Sequence, residues 1–220
     1  GRGLTIFILL NLYLFFEEGK NFYKNYYKIG LSGVIGGSGL GIAMITFIYS
    51  ITNTSAAVTL LCLAAMPFFT ALLAFLFLKE KISFNVWISI IIATVGIIIM
   101  ALDNTGEKSL IGFVFGLTSS IGFSVFSVTL RWRKETPKFT TVSIAGIICV
   151  IVSAIMILES QQSFVSSSYN QGLFSIHGTI VCLGLILYSI GSKAIPAAEL
   201  TLLSLTEIIG GIFWVWLPLL

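Results

Sequence analysis

The sequence predicts an all-α polytopic membrane protein with about eight transmembrane helices, and three observations predict it. The first is composition: of 220 residues, 57% are hydrophobic and 10% are charged, and the mean hydropathy is +1.04. A soluble domain carries about 25% charged residues, and so apolar a chain covers its surface only where lipid is the solvent. The second is that the apolar residues form long continuous runs without period-two alternation, which selects helices over barrel strands. The third is the placement of Lys and Arg, which gather in every second connection.

In chain order the runs are Leu4–Phe16, Ile29–Ser50, Ala57–Leu78, Phe84–Leu102, Leu110–Leu130, Thr141–Leu158, Leu173–Ser192 and Ala197–Leu220. A helix needs about 20 apolar residues to cross the hydrocarbon core. The first run is short for that, the chain opens Gly1-Arg2-Gly3 without an initiator Met, and the last run stops without a polar tail. A piece of a longer protein, lacking one helix at each end, is expected. The first run lacks the basic region and small-residue cleavage site of a signal peptide.

The second run is rich in glycine (Gly30, Gly33, Gly36, Gly37, Gly39 and Gly41), and Gly112 and Gly116 form a GxxxG in the fifth. Small residues let helices approach closely; the other possibility is a thin wall beside a substrate. In the third run Pro67 removes a backbone hydrogen bond and kinks the helix, as a hinge or as a tolerated feature of shape.

Ten of the twelve basic residues fall in one set of connections: Lys20, Lys24 and Lys28; Lys79 and Lys81; Arg131, Arg133, Lys134 and Lys138; and Lys193. The opposite set holds Arg2 and Lys108. The positive-inside rule puts the basic set in the cytoplasm, so the connections Thr52–Ser55, Asp103–Ser109 and Glu159–Gly172 face outward. Tyr23, Tyr26, Tyr27 and Trp132 then sit at cytoplasmic ends, where an aromatic belt belongs.

Two segments resemble each other: Ser55-Ala56-Ala57-Val58-Thr59-Leu60-Leu61 and Pro196-Ala197-Ala198-Glu199-Leu200-Thr201-Leu202. Each follows a span that ends in Tyr-Ser-Ile, at Tyr49 and at Tyr188. The charge pattern gives them opposite orientations, as in an inverted repeat of five plus five helices, an architecture of secondary transporters.

Asn53-Thr54-Ser55-Ala56-Ala57, then Met66-Pro67, Leu78-Lys79-Glu80-Lys81, Trp87 and Gly96, resembles the EamA-type drug/metabolite transporter superfamily. So does Ile195-Pro196-Ala197-Ala198-Glu199 followed by Leu202-Leu203-Ser204-Leu205 and Glu207. The chain departs from the family where Glu-Pro is common, because Ile208 follows Glu207. The resemblance implies a ten-helix carrier with a central cavity and alternating access, multi-pass in the inner (plasma) membrane. It would move small metabolites, amino acids or amphipathic compounds, usually outward. It divides the chain into a first repeat at 1–102, the fifth-run helix with its connector at 103–138, and the rest of the second repeat at 139–220.

Glu207 lies about ten residues into the last run, roughly 15 Å deep at 1.5 Å per residue. A carboxylate there costs at least about 2.5–3.5 kcal/mol, so it faces a cavity or a partner. It would bind a substrate ammonium or couple a proton, or else stay neutral and hold helices together. Ser204, Glu207, Gly211 and Trp214 share a helix face, a cavity wall or a helix seam. Aligning the repeats sets Met66 opposite Glu207 and Thr70 opposite Gly211, so charge in the cavity is expected from one side only. Ser120, with Ser119 and Ser124, would line the cavity or bond back to helix carbonyls. Tyr49 and Tyr188 would gate opposite mouths or anchor at the interface. Glu199 is a first-turn acid that complements the helix dipole. The expected path is therefore Glu207, Ser204, Gly211, Trp214, Tyr49, Tyr188, Ser120 and Thr70, with Pro67 as hinge.

Cys62, Cys149 and Cys182 sit inside apolar runs, and His177 is the one histidine, so neither a disulfide framework nor a metal site is expected. No GxxxxGK[ST] loop occurs, and no cofactor is expected. The expected partners are a small-molecule substrate and the bilayer, with a homodimer as a candidate assembly and no nucleic acid. Two other functions compete. Gly36-Gly37-Ser38-Gly39 fits the GxSG of an intramembrane serine protease, but Ser38 starts roughly 14 Å from the inner end of its span while His177 lies near an outer end. That is far from the contact of about 3 Å such a pair needs. The second is a non-transporting membrane subunit or scaffold. An enzyme is not expected.

Overall fold

The computed structural model describes residues 1–81, 83–103, 107–133, 136–160 and 167–216, without the side chains at 93, 97, 98, 100–103, 107–109, 208, 209, 212 and 214–216. Lys134, parts of two predicted outward connections (104–106 and 161–166) and the Trp214 side chain lie outside the described residues. Among the described residues all regular structure is helical. The helices are α1 (Arg2–Glu18), α2 (Lys24–Lys28), α3 (Gly30–Asn53), α4 (Ala56–Leu63), α5 (Met66–Leu73), α6 (Phe84–Asp103), α7 (Glu107–Trp132), α8 (Lys138–Glu159), α9 (Ser168–Gly191), α10 (Ala197–Leu203) and α11 (Leu205–Trp216). A π-helical turn at Ala74–Leu78 extends α5 and ends at Lys79, whose φ of 55° is left-handed.

Among the described residues, every apolar run coincides with one helix or with two in succession. Five segments among the described residues are long and apolar enough to cross a membrane: Gly30–Asn53, Ala56–Leu78, Leu110–Trp132, Lys138–Glu159 and Ser168–Gly191. That is fewer than the eight the sequence predicts. α1 has 17 residues, and α10 and α11 have 7 and 12 with a break between them.

Lipid solvates apolar side chains as well as a protein core does, so close packing rather than hydrophobic burial brings such helices together. The glycines serve that packing. Gly39 of α3 and Gly122 of α7 meet backbone to backbone: a Cβ on either would lie 2.8 or 2.6 Å from the other's carbonyl oxygen. Gly112 faces Thr54 at one end of the same seam and Gly36 faces Thr129 toward the other, so α3 and α7 are antiparallel. α8 runs parallel to α3, with Gly37 against Ile144 and Gly41 against Ile148. α1 crosses α8 and α9, where Gly3 meets Gly146 and Thr5 meets Gly178. Ile6, Leu10, Leu40, Phe126 and Val142 fill the centre. The outside is apolar too: on α9, Ile176, Ile180, Leu183 and Leu187 share one face and are 56–69% exposed. In water such a strip would drive association.

The basic connections converge at one end of the bundle. Arg131 Nε donates to Glu80 Oε1 at 2.7 Å, and its Nη1 donates to the Ile195 carbonyl at 2.5 Å. Lys138 Nζ donates to Ser192 Oγ at 2.8 Å. Gly30 lies beside Arg133.

Two apolar runs are each interrupted partway. α4 starts at the N-cap Ser55, whose hydroxyl accepts from Val58 N. It stops at Leu63, and α5 starts at Met66 with Pro67 in its first turn. Proline costs nothing there, because the first-turn N–H has no helical partner anyway. Pro67 therefore begins a new helix rather than bending a continuous one. The carbonyls near the break are met by α7: Ser120 Oγ donates to Cys62 O at 2.7 Å, and Ser124 Oγ donates to Met66 O at 3.1 Å. Hydroxyls commonly satisfy backbone freed inside a bilayer in this way. The second break falls at Ser204, which the repeat alignment sets opposite Leu63. No proline stands there, and Ser204 Oγ donates to Thr201 O at 2.7 Å.

Candidate functional site: a cavity beside the broken helices

A cavity of about 400 Å³ opens beside the two breaks. Leu63 and Met66 flank the first break on its wall; Ser204 and Glu207 line it from the second. α3 contributes Leu40, Ala43, Met44 and Phe47, and α7 contributes Ser119 and Phe123. α9 lines it from His177 to Tyr188, and Arg2 reaches it from α1.

Most polar groups on this wall are already bonded. Ser119 Oγ donates to Ala43 O at 2.9 Å, so it is already spent on the helix seam. Tyr188 is held by a 2.6 Å hydrogen bond between its hydroxyl and Ser127 Oγ, and its ring packs on Phe123 and Phe126. Arg2 donates from Nη2 to Met44 O at 2.6 Å and keeps its other donors. The Glu207 carboxylate has no hydrogen-bond or ion-pair partner among the described residues. No group of three or more His, Cys, Asp or Glu able to hold a metal occurs among the described residues.

Three of the path residues expected from sequence meet here: Glu207, Ser204 and Tyr188. The others lie elsewhere. Gly211 faces Leu60 across the α4–α11 contact. Tyr49 donates to Met156 Sδ and stacks on Phe115. Thr70 is fully buried with its hydroxyl unpartnered among the described residues. Ser120 is used at the first break. Trp214 lies on α11 with its side chain outside the described residues. Ser38 does not share this wall with His177.

Arg2 and His177 are the residues that sequence reasoning missed. Each stands alone near the end of an apolar run, and only the packing of α1 and α9 brings both to the wall that Glu207 lines. Charge on the wall is therefore two-sided, against the one-sided charge expected.

Residues 1–102, which hold α1 to α6, match the EamA-like transporter family. The chain is 31% identical over 137 residues to an "uncharacterized transporter" of Helicobacter pylori strain J99, a stretch covering 61% of the chain and 45% of that protein. The same values hold for the protein of H. pylori strain 26695. An "uncharacterized transporter" of Clostridium kluyveri is 30% identical over 113 residues, covering 49% of the chain and 35% of that protein. The match to each relative thus spans less than half of that relative's length. The EamA-type resemblance read from the motifs of the first half holds in the family match over residues 1–102.

Proposed function

We propose that the chain is a secondary transporter that carries small metabolites, amino acids or amphipathic compounds outward across the cytoplasmic membrane by alternating access. The observation that carries this reading is the 400 Å³ cavity with a carboxylate on its wall that has no partner among the described residues. A charge held at membrane depth is costly, and at the basic end the fold pairs its charges, as at Arg131–Glu80. Glu207 facing open space is what a binding site for a cationic or hydrogen-bonding group requires.

An inverted repeat accounts for the packing. Let α4 correspond to α10, α5 to α11, α1 to α8, and α3 to α9. The α5–α10 contact then maps onto α4–α11, and α3–α8 maps onto α1–α9; all four contacts occur. The matched breaks support the same correspondence, with residues 1–102 as the first repeat and 139–220 as part of the second. The Arg131 end of the bundle is cytoplasmic by the positive-inside rule. The breaks at Pro67 and Ser204 are the hinges on which access alternates.

The test is counterflow into liposomes holding the purified full-length protein, across a panel of amino acids, amines, sugars and amphipathic cations. Uptake of at least one class is expected, and Glu207→Gln abolishes it while leaving a folded, monodisperse protein. Folded protein that moves no compound would leave the scaffold reading in its place.

A further inference from the structure

We propose that the basic end of the bundle holds an anion site for a phosphate group, where the first turn of α8 meets the end of α9 at Lys138 and Ser192. The site is separate from the cavity and does not depend on the transporter reading. Lys138 Nζ donates to Ser192 Oγ at 2.8 Å, which gives the ammonium a neutral partner, and no carboxylate pairs with it among the described residues. Arg131 Nη1 donates to the Ser192 carbonyl at 3.4 Å, and Lys193 is the next residue in the chain. Lys193 and Arg131 are the charges that act most strongly on Lys138. Three cations thus come together at one serine. Glu80 is taken by Arg131, and the exposed Glu199, in the first turn of α10, forms no ion pair among the described residues.

This spot is short of negative charge. α8 begins after Pro137 with no side-chain cap among the described residues and no acid in its first turn. A helix N-terminus carries partial positive charge, and a lysine there opposes it; Lys138 is the first residue of α8. Donors are in excess as well. Arg131 spends Nε and Nη1 on Glu80, Ser192 and Ile195 and keeps Nη2. Two fully buried hydroxyls close in sequence to the Lys138–Ser192 bond lack partners among the described residues: Ser189 Oγ, one turn before Ser192, and Thr140 Oγ1, in the first turn of α8. A phosphate brings up to two negative charges and three acceptor oxygens, and cations beside a helix N-terminus suit it. Lys138 is half-buried and Lys193 exposed, so the group can enter from the aqueous side or as a lipid headgroup beside the exposed Leu187 and Ile190.

The experiment titrates the purified full-length protein in an uncharged, phosphate-free detergent and reads thermal shift. The probes are dioctanoyl phosphatidic acid, inorganic phosphate and, as the uncharged control, dioctanoylglycerol. A phosphate-bearing probe is expected to raise the unfolding temperature, and dioctanoylglycerol is not. Lys138→Gln should weaken binding at least about tenfold, as when a hydrogen bond to a charged group is lost, and Lys138→Arg should keep it. Lys193→Gln, at an exposed position, should weaken it about threefold. Lys24→Gln, in a different basic connection, should leave it unchanged. Tighter binding of phosphatidic acid than of inorganic phosphate identifies a lipid headgroup as the ligand, and the reverse identifies a soluble phosphate; either upholds the site. Binding of neither probe, full binding by Lys138→Gln, or equal losses in Lys138→Gln and Lys24→Gln overturns it. If Lys138→Gln does not fold, equal affinities of Lys193→Gln and Lys24→Gln overturn it instead.

Discussion

α3 has two faces that solve opposite problems. On one, Gly39 meets Gly122 of α7 with no space for a methyl group. On the other, Leu40 and Met44 border a cavity of about 400 Å³. Polar groups follow the same division. In the seam, hydroxyls such as Ser119 are consumed by carbonyls; on the cavity wall, Glu207 has no partner among the described residues. The seam acts as a fixed frame because it has no freedom left, and the cavity can bind because Glu207 has no partner among the described residues. Stability and transport should therefore separate by mutation.

The largest effect is expected in the seam. Gly122→Leu forces a side chain where even a Cβ would lie 2.6 Å from a backbone oxygen. Overpacking of this kind costs about 1–3 kcal/mol and occasionally more, here at the upper end, since backbone and not a flexible tip must move. Little monodisperse protein should elute on size exclusion. Gly184→Ala is the control on the cavity wall, where a Cβ meets nothing within 4 Å. It should leave unfolding unchanged, or raise it by up to about 1 kcal/mol through helix propensity. Equal loss in both would erase the distinction between the faces.

Glu207→Gln should reverse the pattern: transport falls at least about tenfold, as expected when a hydrogen bond to a charged group is lost, while thermal stability is kept or rises. Unchanged transport removes Glu207 from the path.

Arg131→Ala tests the frame at the basic end. It removes the 2.7 Å contact to Glu80 and the bond to Ile195 O, both partly buried. Hydrogen bonds to charged groups are each worth about 1.5–3 kcal/mol, and a single loss in that range should appear in denaturant unfolding. Arg131→Lys should recover only part of it, because the planar fork serves two partners at once.

The helices are legible in sequence because hydrocarbon imposes continuous apolar runs and the charge rule orders their ends. The cavity is half legible. Glu207 stands out as an acid in mid-run, and Ser204 follows from helical spacing. Tyr188 is found through the repeat, although its twin Tyr49 turns to Met156 instead. Arg2 and His177 are not legible, because their place depends on how α1 and α9 close around the broken helices. The second break is also hidden: Ile208 offers no proline, and a hydroxyl pattern, not a ring, interrupts α10 and α11.

Ser120 gives the smallest and most discriminating prediction. Its residue type fits a cavity wall, yet its hydroxyl donates to Cys62 O at 2.7 Å and to Gly116 O at 3.2 Å. Ser120→Ala leaves Cys62 O with the Ala65 N–H alone, at 3.1 Å. The loss should be about 0.6 kcal/mol, the average for hydroxyl-type bonds between membrane helices, because the carbonyl keeps one donor. The measurement is thermal unfolding in detergent, paired with the KM of counterflow. A small drop in stability with an unchanged KM places Ser120 with the frame. A raised KM at unchanged stability would move it to the cavity, and the first helix break would then be held open by α4 and α5 alone.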